Sequence, residues 1–203
     1  DWADAVLNTI KEVISQSGAG KDDVKGIGIS GQMHGLVMLD EMGEVIRPSI
    51  IWCDQRTGAE VEDMLKIMPR EEWIRITANP PLTGWTAAKI LWVRKNEPEN
   101  YNRCRHILLP KDYIRYILTG VFATEVSDAS GMQLLDVPGR CWSDEVLKAL
   151  NIDKDLLGKV YESCESTGTL LADVAKRTGL SEKCIVAGGA GDNAAAAVGT
   201  GVV

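Results

Sequence analysis

Apolar positions recur at helical spacing from the second residue onward. Trp2, Val6, Ile10, Val13 and Ile14 share one face of a helix, with Asp1 placed to cap it. Ser17-Gly18-Ala19-Gly20 breaks that helix. Residues 24–30 then alternate with period two and predict a strand whose glycines permit close packing. Residues 36–39 read as a second strand, 41–44 as a turn, and 45–52 as a third strand with Pro48 at an edge or bulge. Three strands in that order predict a meander.

From Asp54 the period becomes helical. Helices are predicted over 60–68, stopped by Pro69, over 86–95, and over 111–118, closed by Thr119-Gly120. Ser143 caps a helix running to Leu150, and 173–178 form a short helix ended by Gly179. His106 precedes Ile107-Leu108-Leu109 and reads as structural. A short buried strand over 183–187 enters Gly188-Gly189-Ala190-Gly191, and an alanine-rich helix follows over 192–198. Together these elements make an α/β chain.

A length of 203 residues suits one domain, or two small ones. Apolar residues at 45% and charged residues at 25% exclude a disordered chain. The net charge of −7 and the lack of a basic stripe argue against a nucleic-acid partner. Five scattered cysteines without a Cys-x-x-Cys pair read as reduced thiols of a cytoplasmic protein, with no metal ligand set. No apolar run is long enough to span a bilayer, and nothing reads as a signal peptide, so no membrane partner is expected. The first residue is not Met and lies within a helical pattern, which predicts sequence upstream.

Three segments offer chemistry. The first is Gly188 to Ala194, where a strand and a glycine turn deliver Asp192 and Asn193 to a helix start. Asp192 is there either as a helix cap or as a carboxylate offered to a ligand. The turn is not a Walker A loop, because no Gly-Lys-Ser/Thr follows. Gly189-x-Gly191-x-x-Ala194 fits a relaxed dinucleotide fingerprint, but the acidic residue about twenty positions on is missing. The second segment, Ser30-Gly31-Gln32-Met33-His34-Gly35, places an imidazole and an amide at a strand tip; His34 is a ligand contact or a satisfied turn histidine. In the third, Trp52-Cys53-Asp54-Gln55-Arg56, the two charged side chains can touch a polyol or pair with each other, and the structural role is favoured. Ser127-Asp128-Ala129-Ser130-Gly131 is a small-residue turn that says little alone.

Taken together, these segments resemble the xylulokinase branch of the FGGY carbohydrate kinase family. SGQMHG (30–35) is similar to its sugar-binding segment and WCDQR (52–56) to the segment that follows. GWTAAKILWVRKN (84–96), LLPKDYIRYILTG (108–120), SDASGMQLLD (127–136) and GGAGDNAAAAVGTG (188–201) resemble later family segments, in family order.

The resemblance implies an actin-like, ribonuclease-H-like α/β fold and ATP-dependent phosphorylation of a ketopentose, D-xylulose first. It implies Asp192 as the general base, Met33 and His34 as sugar-lining residues, and Asn193 as a further sugar contact. Kinases for ribulose or similar polyols, and a non-catalytic sugar-binding domain, stay as alternatives. The glycerol branch carries Arg-Glu where this chain has Met33-His34, which argues against glycerol. It further implies that the chain is a partial N-terminal, sugar-binding domain truncated at both ends. The upstream phosphate turn and the C-terminal ATP-binding domain lie outside it, along with most contacts to ATP and Mg2+. A sheet edge left open by missing strands would favour self-association into a homo-oligomer.

Overall fold

A computed structural model describes residues 1–202. The first helical pattern forms α1 (Trp2–Ser17), closed by Gly18 in the left-handed conformation. Its inward face is Val6, Leu7, Ile10 and Ile14, whereas Val13 is 56% exposed. Asp1 stands at the N-cap position but its side chain accepts no capping hydrogen bond.

The strand expected over 24–30 is two short pieces, β1 (Gly26–Ile27) and β2 (Ser30–Gly31). β3 (Val37–Leu39) follows, fully buried. The predicted meander does not form. Residues 45–52 pair with β3 and the residue before it only through isolated bridges, Leu39↔Val45 and Leu36↔Ile50. Pro48 has no N–H for a ladder, and Trp52 turns out to 56% exposure.

Helices dominate the middle: α2 (Gly58–Ile67), α3 (Arg70–Thr77), α4 (Thr86–Asn96) and α5 (Pro98–Arg103). β4 (His106–Leu108) leads into α6 (Pro110–Thr119), which Gly120 ends in the left-handed region. Then come β5 (Ala123–Glu125), α7 (Val126–Ala129), β6 (Leu135–Asp136), β7 (Cys141–Trp142) and α8 (Asp144–Leu150). Ser143 caps α8 as expected, its hydroxyl accepting from the Val146 amide. The chain continues through β8 (Lys159–Tyr161), β9 (Ser166–Thr169), α9 (Ala172–Thr178), β10 (Ile185–Ala187), β11 (Ala190–Gly191) and α10 (Asp192–Gly199).

Pairing is mostly long-range. β1 runs parallel to β10, which is antiparallel to β9, and β2 runs parallel to β11. β3 is antiparallel to β4, and β5 parallel to β8.

Two main apolar clusters hold these pieces together. The larger gathers Met64, Trp73, Ile90, Leu109, Met132 and Leu147; the Trp73 indole N–H donates to the carbonyls of Met64 and Met68. The second joins α1, α6, α9 and β10 through Leu7, Leu118, Val174 and Val186. Each such side chain stabilises the fold by about 1.5–3 kcal/mol. His106 stacks on Phe122 at 3.5 Å, which bears out its structural reading. All five cysteines are free thiols.

Candidate functional site

Residues far apart in sequence meet because two short strands run parallel. Ala190 pairs with Ser30 and Gly191 with Gly31. Both chains therefore leave the ladder at the same end, the usual ligand position in α/β sheets. One exit carries Met33 and His34, and the other carries Asp192 and Asn193. A Cβ on Gly191 would stand 2.7 Å from Met33 Cγ, so the two exits are in contact.

Asp192 is exposed and is the first residue of α10, one position past the N-cap, which is Gly191. Its Oδ1 accepts from the Asn193 amide at 2.9 Å. Among the described residues Oδ2 takes no hydrogen bond. Asn193 is exposed beside it.

His34 is half-buried and has φ 66°, a left-handed backbone that few non-glycine residues adopt. Three neighbours fix it. Nδ1 lies 2.9 Å from the Gly131 carbonyl, so the neutral ring donates there and Nε2 remains an acceptor. Trp85 stacks on the ring at 4.6 Å and 22°. Lys89, fully buried on α4, donates to the His34 carbonyl at 2.7 Å, to Ile51 at 3.0 Å and to Gly84 at 2.5 Å. Burial, helped by the Lys89 charge, lowers the His34 pKa against the pull of the Gly131 hydrogen bond. Burial also brings the Lys89 ammonium down to about 8, opposed by the Asp54 carboxylate.

Asp54 and Arg56 pair with each other, Nη2 to Oδ2 at 2.7 Å, and Arg56 lies over the Trp92 ring. That agrees with the structural reading of both.

Sequence reasoning passed over Trp85, Lys89 and a buried group of charges behind the Gly188 turn. Lys111, Asp112, Arg115, Glu125 and Asp128 are at most 2% exposed. The local signal was Lys111, Asp112 and Arg115 within one helical turn followed by Glu125 and Asp128, but charges at such spacing normally face water. An apolar groove of about 400 Å³ between α1 and α6 is lined by Val6, Ile10, Ile27 and Ile114 and contains neither His34 nor Asp192.

Residues 1–199 match the N-terminal domain of the FGGY family of carbohydrate kinases. The chain belongs to that family. Among curated FGGY relatives, the xylulose kinase of Escherichia coli is 46% identical over 181 residues, covering 89% of this chain and 37% of the relative. The xylulose kinase of Bacillus subtilis is 40% identical over all 203 residues, 40% of its length. The crystal structure of xylulose kinase from Rhodospirillum rubrum superposes with a TM-score of 0.93 at 26% identity, covering all of this chain and 41% of that one. The fold is thus the actin-like one of FGGY sugar kinases. This chain spans about two fifths of the length of the relatives it matches.

Proposed function

We propose that this chain is the sugar-binding part of a longer FGGY kinase that phosphorylates a ketopentose, D-xylulose first. The observation that carries this reading is the register of β2 against β11, which brings Met33-His34 and Asp192-Asn193 to one strand end. His34 Nε2 offers an acceptor for a sugar hydroxyl. Met33 supplies an apolar wall, and Asn193 an amide.

The chemistry asked of the site is modest. Phosphoryl transfer depends mainly on positioning and electrostatics, with a carboxylate to orient and deprotonate the nucleophile. Asp192 takes the proton of the attacking hydroxyl as that oxygen bonds to the γ-phosphorus of ATP and ADP departs. A base of this kind contributes on the order of 10²–10⁴-fold. Its open Oδ2 suits the task.

Membership of a kinase family implies ATP as donor. Among the described residues no group of three or more His, Cys, Asp and Glu is arranged to hold a metal ion. Among them, too, no helix is long and apolar enough to cross a membrane. The free cysteines are consistent with a reducing cytoplasm.

Assay of the full-length kinase carrying this chain, by ADP release over pentuloses, hexuloses, gluconate and glycerol, tests the reading. D-Xylulose is expected to give the highest kcat/KM. Glycerol or gluconate as best substrate would overturn the assignment of Met33 and His34.

A further inference from the structure

The buried charges lie directly behind the turn that presents Asp192. Lys111 Nζ reaches the Gly188 carbonyl at 3.2 Å and Asp112 at 2.8 Å, with Glu125 at 3.4 Å and Asp128 at 3.6 Å. Arg115 donates to the same Gly188 carbonyl at 2.8 Å and pairs with Asp112 at 2.9 Å. On the other side, Glu125 Oε1 accepts from the Ser127 hydroxyl at 2.9 Å, and that hydroxyl accepts from the Gly191 amide at 3.1 Å. The turn is therefore gripped at both ends, by cations at Gly188 and by a hydroxyl at Gly191, one residue before Asp192.

Withdrawing so many charged groups from water is costly, and a packed apolar cluster of equal volume would serve folding at least as well. What this arrangement supplies instead is direction: both cations converge on the Gly188 carbonyl, and Arg115 also donates to that of Ala123. Burial and the carboxylates of Asp112 and Glu125 raise the Asp128 carboxyl well above its usual range, against the pull of Lys111. The remaining turn amides are engaged as well: Gly188 donates to Glu165, Gly189 to Ser163 and Ala190 to Ile29.

We propose that Ser127 is a positioning residue for the base: it couples the buried cluster, through Glu125, to the Gly191 amide and thereby fixes the direction of Asp192. This rests on the reading of Asp192 as the base. The hydroxyl is engaged on both sides by the protein itself, by Glu125 and by the Gly191 amide, so its effect falls on turnover and passes through Asp192.

The test uses the full-length kinase. Ser127→Ala is expected to lower kcat about tenfold, the factor carried by one ordinary hydrogen bond. The sugar KM should stay within about twofold, because only transition-state alignment is lost. Ser127→Thr keeps the hydroxyl and is expected to restore kcat. In an Asp192→Asn background, Ser127→Ala should cost nothing further, since residues acting as a unit are not additive. Unchanged kcat in Ser127→Ala, or a tenfold loss that persists in Asp192→Asn, would overturn the proposal while leaving the base in place. Near-normal turnover in Asp192→Asn alone would remove the base reading, and the positioning role with it. If Ser127→Ala does not fold, the near-isosteric Ser127→Cys carries the same comparisons.

Discussion

Met33 lies across Gly191: a side chain on the glycine would begin 2.7 Å from Met33 Cγ and 2.8 Å from its Sδ. Gly191 has φ −55° and ψ 146°, which alanine adopts without strain. Gly191→Ala therefore tests the contact and not the backbone. In the full-length kinase it should raise the sugar KM at least fivefold as Met33 is displaced, with a stability loss of about 1–3 kcal/mol from overpacking. Initial rates at varied sugar and fixed ATP measure the first effect, and urea denaturation the second.

Asp192→Asn should cut kcat by about two to four powers of ten, the range expected for a lost base, and leave sugar binding near its original strength. Single-turnover kinetics combined with calorimetric titration of the sugar separates the two. Turnover within a few-fold of the parent would take the catalytic role away from Asp192.

His34 makes stability depend on pH. Its folded pKa is lowered, chiefly by burial, from an unfolded value of about 6.5. The unfolded chain therefore takes up the proton first as pH falls. Above the unfolded value the residue contributes no pH dependence; below it, stability declines until the folded value is passed. His34→Asn keeps a residue tolerant of the left-handed backbone and removes the titration. Melting temperatures from pH 8 to 5 should fall more steeply for the parent than for this variant. Parallel curves would show that His34 does not titrate differently on folding.

Lys89 holds three carbonyls that otherwise have no common partner, those of His34, Ile51 and Gly84. Lys89→Met keeps the buried stem and removes every donor. The expected loss is about 2 kcal/mol, because the His34 and Gly84 carbonyls are left unpaired, while Ile51 still accepts from the Asp54 amide. Chemical denaturation measures it, and a loss below about 0.5 kcal/mol would mean that water replaces the ammonium.

Local periodicity and stop signals located α2, α4, α6, α8, α9 and α10, because those helices declare themselves within a dozen residues. Gly120 and Gly179 do end their helices in the left-handed conformation. α3 was missed although Trp73, Ile76 and Thr77 are buried at helical spacing, because Pro69 was read only as an end and is also a start. The supposed meander failed for a deeper reason. Gly26 pairs with Ile185 and Gly31 with Gly191, and no local alternation encodes a partner that distant. In the site, Met33, His34, Asp192 and Asn193 were picked out from motif and resemblance. Their meeting, and the donors that hold them, depended on the same long-range pairing.

The glycine-rich turn before Asp192 has the lettering of a nucleotide loop and the opposite chemistry. Such loops bind phosphate because several neighbouring amides point outward with nothing to donate to. Here the amides of Gly188, Gly189, Ala190 and Gly191 are all directed into the protein, toward Glu165, Ser163, Ile29 and Ser127. An anion arriving at this turn meets no vacant donor among those four and one carboxylate. The turn therefore offers a phosphate none of the outward amides with which a nucleotide loop would hold it, and its backbone is spent on holding its own shape.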